Sequence, residues 1–397
     1  VMKRPARTYP LPDGFAFYDY DKSPLIVPKP VAAEIASQRA RDDEEEPCDP
    51  FTGEPLGPPA AETQVPPVVA TVRRQRDRVP VFAQEALQEA MAQVSKLRRE
   101  DKARLLPPLE MAARDGGMRQ VRRPSPRTLP GLLASLTRDF PNFGAVIEAL
   151  APEWALQAGQ TAAGFRLSPL LLYGAPGVGK TFFASRLAGR LGVDWEQISA
   201  GTAQGAFEVT GTSRHWSTAN PGRVFSLLAR SRYANSVLLI DEVDKLGQEQ
   251  QSPIVPALLD LLEEDSARRL RDVAMDLTCD ASRLLVILTA NDIERVPAPL
   301  RSRVQEIAVA SPTRDERLAI AMRLADDLCR PLRKAARVAI DRETLEALAS
   351  APMDLRELKR RLRRAVGQAV LAGRRRLAPA DVGTMGRPET RPRMGFV

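Results

Sequence analysis

The segment Gly174-Ala175-Pro176-Gly177-Val178-Gly179-Lys180-Thr181 holds the residue types that bind polyphosphate, at the spacing G-x-x-x-x-G-K-[ST]. Glycines let a loop curl until successive backbone N–H groups face one point, where phosphate oxygens accept from them. A helix that starts there adds partial positive charge. Lys180 reaches the outer phosphates of a triphosphate, and Thr181 offers a hydroxyl to a magnesium ion. A plain strand-to-helix turn needs neither residue. The context is right: Leu170-Leu171-Leu172-Tyr173 reads as a strand and the residues from Lys180 onward read as a helix. A triphosphate and Mg2+ are therefore the expected ligands, with residues 174–182, Phe182 included, around them.

A second pair of chemical groups lies 61 positions after Lys180. Val237-Leu238-Leu239-Ile240-Asp241-Glu242 is an apolar strand ending in two carboxylates. Carboxylates at the C-terminal edge of a parallel strand face the ligand crevice. Asp241 would hold Mg2+, directly or through water, and Glu242 would polarise the water that attacks the terminal phosphate. An apolar run ending in Asp-Glu is weak evidence alone. Beside the glycine loop it becomes specific.

These residues need elements to hold them. From about 166, short apolar runs alternate with helical patterns: strands at Leu170–Tyr173, Asp194–Ser199, Val237–Ile240, Leu284–Leu288 and Val304–Val309, helices after Lys180, over Gly222–Arg232 and over about 254–264. Continuous apolar strands between helices predict an α/β fold whose parallel sheet is flanked by helices on both faces. Residues 312–376 read as a small all-α domain, with helices over 314–329, 341–350 and 354–372, and 377–397 as a tail. Upstream, 81–113 reads as helical, and 129–165 as two short helices broken at Pro141 and Pro152; together 81–165 form a helical N-terminal region and linker. Residues 1–80 hold 14 of the 34 prolines and the acidic run 42–46, which predicts a largely extended or disordered stretch. Phe15, Phe17, Tyr18 and Tyr20 cluster there, in a chain that is only 5% aromatic, as a docking segment or a locally collapsed tail.

Composition removes several alternatives. The chain has 397 residues, enough for two or three domains. Three distant cysteines support neither a disulfide framework nor a cysteine zinc site and fit a cytoplasmic protein. One histidine, His215, rules out multi-histidine metal sites. No apolar run approaches the length of a membrane helix, so no membrane role is expected. The net charge of +8 is spread over a long chain and is weak evidence for nucleic acid. Nine Lys/Arg gather over 354–376, opposite an apolar stripe of Leu355, Leu358, Leu362 and Val366. That face suits nucleotide, an acidic subunit or nucleic acid, or is simply solvated.

With both motifs in place, the chain resembles the AAA+ ATPases, and within them the ATPase module of Lon-type ATP-dependent proteases. Asp241-Glu242-Val243-Asp244-Lys245 looks like Lon's Walker B segment, the glycine loop being Walker A. Residues 296–303 look like its stretch between sensor 1 and the arginine finger, and Gly211 through Pro221-Gly222-Arg223 has the length and ending of its pore-loop segment. The likeness covers about 165–375.

The resemblance implies further roles. Asn291 matches sensor 1, which orients the attacking water; a strand-end turn would also suit it. Arg303 matches the arginine finger that acts on a neighbouring subunit's phosphate, with Arg301 as its rival. Arg356 matches sensor 2 on the lid, or is one more arginine of a basic helix. Trp216 falls where the family grips an unfolded polypeptide with an aromatic ring, although Ser217 follows it where Lon-like loops carry an apolar residue; a core tryptophan is the alternative. Twenty-one residues follow Arg376, too few for Lon's proteolytic domain. The implied protein is a ring-forming ATPase, with six subunits expected, that remodels, unfolds or translocates a protein substrate without its own peptidase. Its N-terminal region would recruit substrate or adaptor, with room for a separate peptidase. A nucleic-acid motor or loader and a nucleotide-dependent scaffold are the alternatives.

Overall fold

The structure is a computed structural model that describes residues 15–20, 23–28, 77–213, 219–246, 254–332, 337–351, 353–377 and 379–383. The chain falls into two compact units, Val1–Val69 and Ala70–Val397. In the first, strands β1 (Phe15–Tyr20) and β2 (Ser23–Pro28) pair antiparallel, with Phe15 opposite Pro28 and Tyr20 opposite Ser23. The aromatic cluster of the sequence lies on β1. The acidic run 42–46 and Cys48 lie outside the described residues.

The second unit opens with β3 (Arg78–Pro80), helices α1 (Gln84–Ser95) and α2 (Arg99–Ala113), and β4 (Met118–Gln120), which pairs antiparallel with β3. The sequence reads 81–113 as one helical stretch, but the chain turns at 96–98. The turn lets Leu87, Ala90 and Val94 of α1 and Leu105, Leu109 and Ala112 of α2 enter the same core. Helices α3 (Leu129–Asp139) and α4 (Gly144–Gly159) follow, separated as expected at Pro141. Pro152 does not break α4, contrary to expectation. Val146, Ile147, Leu150 and Trp154 are all buried around it, and their burial outweighs one lost backbone hydrogen bond.

The central sheet is built from β5 (Leu170–Tyr173), β6 (Trp195–Ser199), β7 (Val237–Asp241), β10 (Leu285–Ala290) and β11 (Gln305–Ala308), in spatial order β11-β5-β10-β7-β6 and parallel throughout. Ile287 is in register with both Leu170 and Leu239. Helices α5 (Lys180–Leu191), α6 (Arg223–Arg230) and α7 (Val255–Leu262) connect the strands. A small antiparallel hairpin, β8 (Leu270–Asp272) and β9 (Leu277–Cys279), precedes β10 and was not foreseen. Side chains alternate across the sheet, yet both faces are dry. Leu171, Leu238, Ile240, Val286 and Leu288 enter one core with α1, α2, α6 and α7, while Leu170, Leu172, Leu239 and Ile287 enter the other with α3, α4 and α5. This two-sided burial explains the unbroken apolar runs.

The lid consists of α8 (Arg314–Cys329), α9 (Arg342–Ser350), α10 (Leu355–Leu371) and α11 (Pro379–Gly383) around its own core. Thr313 and Glu316 form a reciprocal capping box that starts α8. The helical lid also contains a two-residue parallel pair, β12 (Ala339–Ile340) with β13 (Arg376–Leu377). Among the described residues no helix is long and apolar enough to cross a membrane.

One buried cation joins the end of α2 to the end of α6. Arg119 is 4% exposed. It donates to the carbonyls of Met111 and Ala112 at the end of α2 and of Leu228 and Ala229 at the end of α6, and also to those of Arg114 and Met118. A guanidinium fork is one of few groups that can satisfy several helix-terminal carbonyls at once. It also stacks over Phe82, whose ring meets Phe225 edge-on.

Candidate functional site

At the C-terminal ends of β5, β7 and β10 the chain leaves the sheet in three turns that face one cavity of about 450 Å³. Its floor is Pro176, Gly177, Gly179, Lys180 and Thr181, one wall is Asp241, Glu242, Thr289 and Asn291, and the lid supplies Ile320, Arg323, Leu324, Leu355, Arg356 and Lys359. Gly174, Ala175 and Val178, also expected around the ligand, shape the loop without lining the cavity. The carbonyls of Gly174 and Ala175 hold Lys180, while Val178 is buried in the core and its carbonyl accepts from Asn142. Gly177 has φ +81°, and a Cβ there would lie 2.8 Å from Cβ of Asp354, the residue that caps α10. Only glycine lets the lid come this close to the loop.

Lys180 is 7% exposed. Its ammonium donates to the Gly174 carbonyl at 2.6 Å, the Ala175 carbonyl at 3.1 Å and Oδ1 of Asn291 at 3.1 Å. Burial pushes its pKa below the ordinary lysine range, while Asp244 and Asp241 pull it back. The charge is therefore kept in a partly dry place, where it acts more strongly on an anion.

Asp241 and Thr181 meet as expected. The Thr181 hydroxyl lies 3.1 Å from both carboxylate oxygens of Asp241. Two further partners were not foreseen: Gln197 of β6 donates to Oδ2 at 2.8 Å, and Thr289 of β10 donates to Oδ1. Adjacent strands thus lock the carboxylate, and period-two alternation of β6 was the available clue to Gln197. A hydroxyl and a carboxylate held together are two oxygen donors of the kind magnesium takes, with triphosphate oxygens and water completing its shell. The residues present fit the ion.

Glu242 follows β7 in the left-handed conformation, φ 62° and ψ 47°, which is unusual for a residue with a side chain. Its N–H donates to the Thr289 hydroxyl at 3.1 Å. The carboxylate lines the cavity and pairs with Lys245 at 2.6 Å.

Phe182 lines the cavity and is ringed by cations: Arg186, Arg323 and Lys359 lie 5.0, 5.3 and 5.6 Å from its centroid. Arg323 and Lys359 come from the lid; Lys359 belongs to the basic run of 354–376, whereas Arg323 was not foreseen. Arg356 lines the cavity. Arg303 does not. It is partly exposed, pairs with Glu263 at 3.2 Å and donates to the Pro299 carbonyl. Its rival Arg301 is forked onto Glu306 at 2.8 and 3.3 Å. Trp216, with Arg214, His215 and Ser217, lies outside the described residues.

The segment that carries this cavity is similar to known proteins. Residues 170–311 match the AAA family, "ATPase family associated with various cellular activities". The mitochondrial Lon protease homolog of Mus musculus is 38% identical over 154 residues, 39% of this chain and 16% of that protein. Lon protease of Campylobacter jejuni is 34% identical over 183 residues, 46% of this chain and 23% of that protein. The chain thus spans less than a quarter of the length of these relatives. Among solved structures, a closed-state cryo-EM reconstruction of Hsp104 with ATPγS and FITC casein superposes with a TM-score of 0.51 at 18% identity, covering 62% of this chain and 48% of that one. That likeness concerns the fold.

Proposed function

We propose that this chain, with its AAA domain at 170–311, hydrolyses Mg-ATP and couples hydrolysis to remodelling, unfolding or translocating a protein substrate as a ring, a hexamer by family analogy. The observation that carries the reading is the convergence of Lys180, Thr181, Asp241, Glu242, Asn291 and Arg356 on one cavity at the end of a parallel sheet. We set the large nucleotide-binding domain at 166–311 and the lid at 312–383, beyond the expected end at 376, because Leu377 and Val382 pack in the lid core.

The roles rest on the chemistry of these residues and, for Asn291, Arg303, Arg356 and Trp216, on the family resemblance. Lys180 turns from the loop carbonyls to the outer phosphates. Thr181 and Asp241 hold Mg2+, which when bound neutralises phosphate charge. Glu242 accepts a proton from water as the water oxygen bonds to the terminal phosphorus, and the bridging P–O bond breaks with its electron pair going to the departing diphosphate. Asn291, released from Lys180, holds that water in line. Arg356 closes the lid over the phosphates, and Arg303, away from its own cavity, serves the neighbouring subunit's. Trp216 supplies the grip on polypeptide.

The reading is tested by phosphate release from wild type, Lys180→Ala and Glu242→Gln. Loss of the lysine should cost about 10²–10³-fold. Loss of the base should cost about 10²–10⁴-fold while nucleotide still binds. Wild-type turnover in Lys180→Ala sinks the site. Assays with unfolded polypeptide, single-stranded DNA and duplex DNA separate the substrate classes. Stimulation by DNA alone, falling steeply with salt, would move the function to the basic face of α10, where Arg360, Arg363 and Arg364 are exposed.

A further inference from the structure

The segment Gly211–Gly222 leaves and re-enters the core at almost one point. Thr212 N–H donates to the Asn220 carbonyl at 3.0 Å, and Asn220 N–H donates to the Thr212 hydroxyl at 2.7 Å. The two ends press together so closely that a Cβ on Gly222 would sit 2.1 Å from the Val209 carbonyl oxygen and 2.6 Å from the Gly211 nitrogen.

This foot stands on the unforeseen hairpin. Asp272, the last residue of β8, is 2% exposed. One carboxylate oxygen accepts from Gly222 N–H at 2.7 Å, and the other accepts from Met275 N–H at 2.8 Å, inside the hairpin turn. Beside it, Val273 N–H donates to the Thr210 carbonyl at 2.7 Å. A buried carboxylate is costly unless its lone pairs are filled, and bonds to an ionised acceptor are strong. The anion therefore fixes the foot to the hairpin. Downstream the hairpin runs into β10, whose end carries Thr289, bonded to Asp241, and Asn291, bonded to Lys180. Gly222 in turn caps α6.

We propose that Asp272 is a positioning residue that clamps the Gly211–Gly222 loop to the β8–β9 hairpin, so that a change at the nucleotide cavity reaches the loop through β10 and this buried carboxylate. The inference rests on reading that loop as the substrate loop, and it names the joint by which hydrolysis moves it. Asp272→Asn keeps the volume but sets an NH2 group against one of the two backbone N–H groups.

The test is tryptic cleavage after Arg214 in the full chain, with and without ATPγS. It needs no protein substrate. In wild type the nucleotide should change the cleavage rate. In folded Asp272→Asn with unchanged basal ATPase, cleavage should be about tenfold faster, the equivalent of one charge-assisted hydrogen bond, and indifferent to nucleotide. The KM for a reduced, alkylated polypeptide should rise with basal kcat unchanged. Thr212→Val, which loosens the foot without touching the anion, should reproduce the faster cleavage. Wild-type cleavage and nucleotide response in Asp272→Asn would overturn the proposal. If Asp272→Asn does not fold, hydrogen exchange at Gly222 N–H in wild type decides. A rate that ATPγS leaves unchanged overturns the clamp, and a changed rate supports it. A nucleotide-responsive loop in a protein that polypeptide does not stimulate would keep the clamp and reject the protein-substrate reading.

Discussion

The Glu242 carboxylate is held by the Lys245 ammonium at 2.6 Å, three residues further along the chain. The pair is partly exposed, so it restrains the side chain without locking it. While it stands, one carboxylate oxygen is occupied by the ammonium and is not open to a water. Lys245→Met should therefore raise basal phosphate release about two- to fivefold, as expected from an exposed ion pair. A fall in rate would show that Lys245 assists the reaction.

Arg303 and Arg301 differ in what they already hold. Arg301 is forked onto Glu306, whereas Arg303 rests on Glu263 and a carbonyl at the surface. As a finger acting in trans, Arg303 should be worth about 10³–10⁵-fold in turnover. Arg303→Ala should lose that and still bind nucleotide, while Arg301→Ala should stay near wild type. Mixing Arg303→Ala with Lys180→Ala subunits should restore part of the activity, because each supplies what the other lacks. Two mutants that remain dead when mixed would speak against a shared site.

Arg119 should be a stability residue. Its removal takes from the Ala112, Leu228 and Ala229 carbonyls the donor it supplies, while that of Met111 keeps the Arg114 N–H, and each carbonyl left unsatisfied costs about 1–3 kcal/mol. Arg119→Leu should lower unfolding free energy by more than about 3 kcal/mol, read from denaturant melts. Arg119→Lys should recover only part, since an ammonium cannot span both helix ends. A melt within about 0.5 kcal/mol of wild type would contradict this role.

The readable parts of the fold were those with a strong local pattern. Leu170–Tyr173 and Val237–Ile240 are continuous apolar runs because both faces of their sheet are covered. The β8–β9 hairpin was invisible. Its strands have three residues each and mix Arg271, Asp272 and Thr278 with apolar neighbours, so no period develops. Pro152 misled because local chemistry marks a break where packing of Leu150 and Trp154 sustains the helix.

The sequence by itself determined the glycine loop, the strand ending in two carboxylates and the chain order of the five main-sheet strands, because each is specified by neighbours within a few residues. Only the tertiary structure decided which groups meet. Asn291 reaches Lys180 across 111 positions, Thr289 and Gln197 close on Asp241 from two different strands, and Asp272 reaches Gly222 across 50. Such meetings depend on strand order and register. These are settled by the burial of both sheet faces together, and no short stretch of chain encodes that.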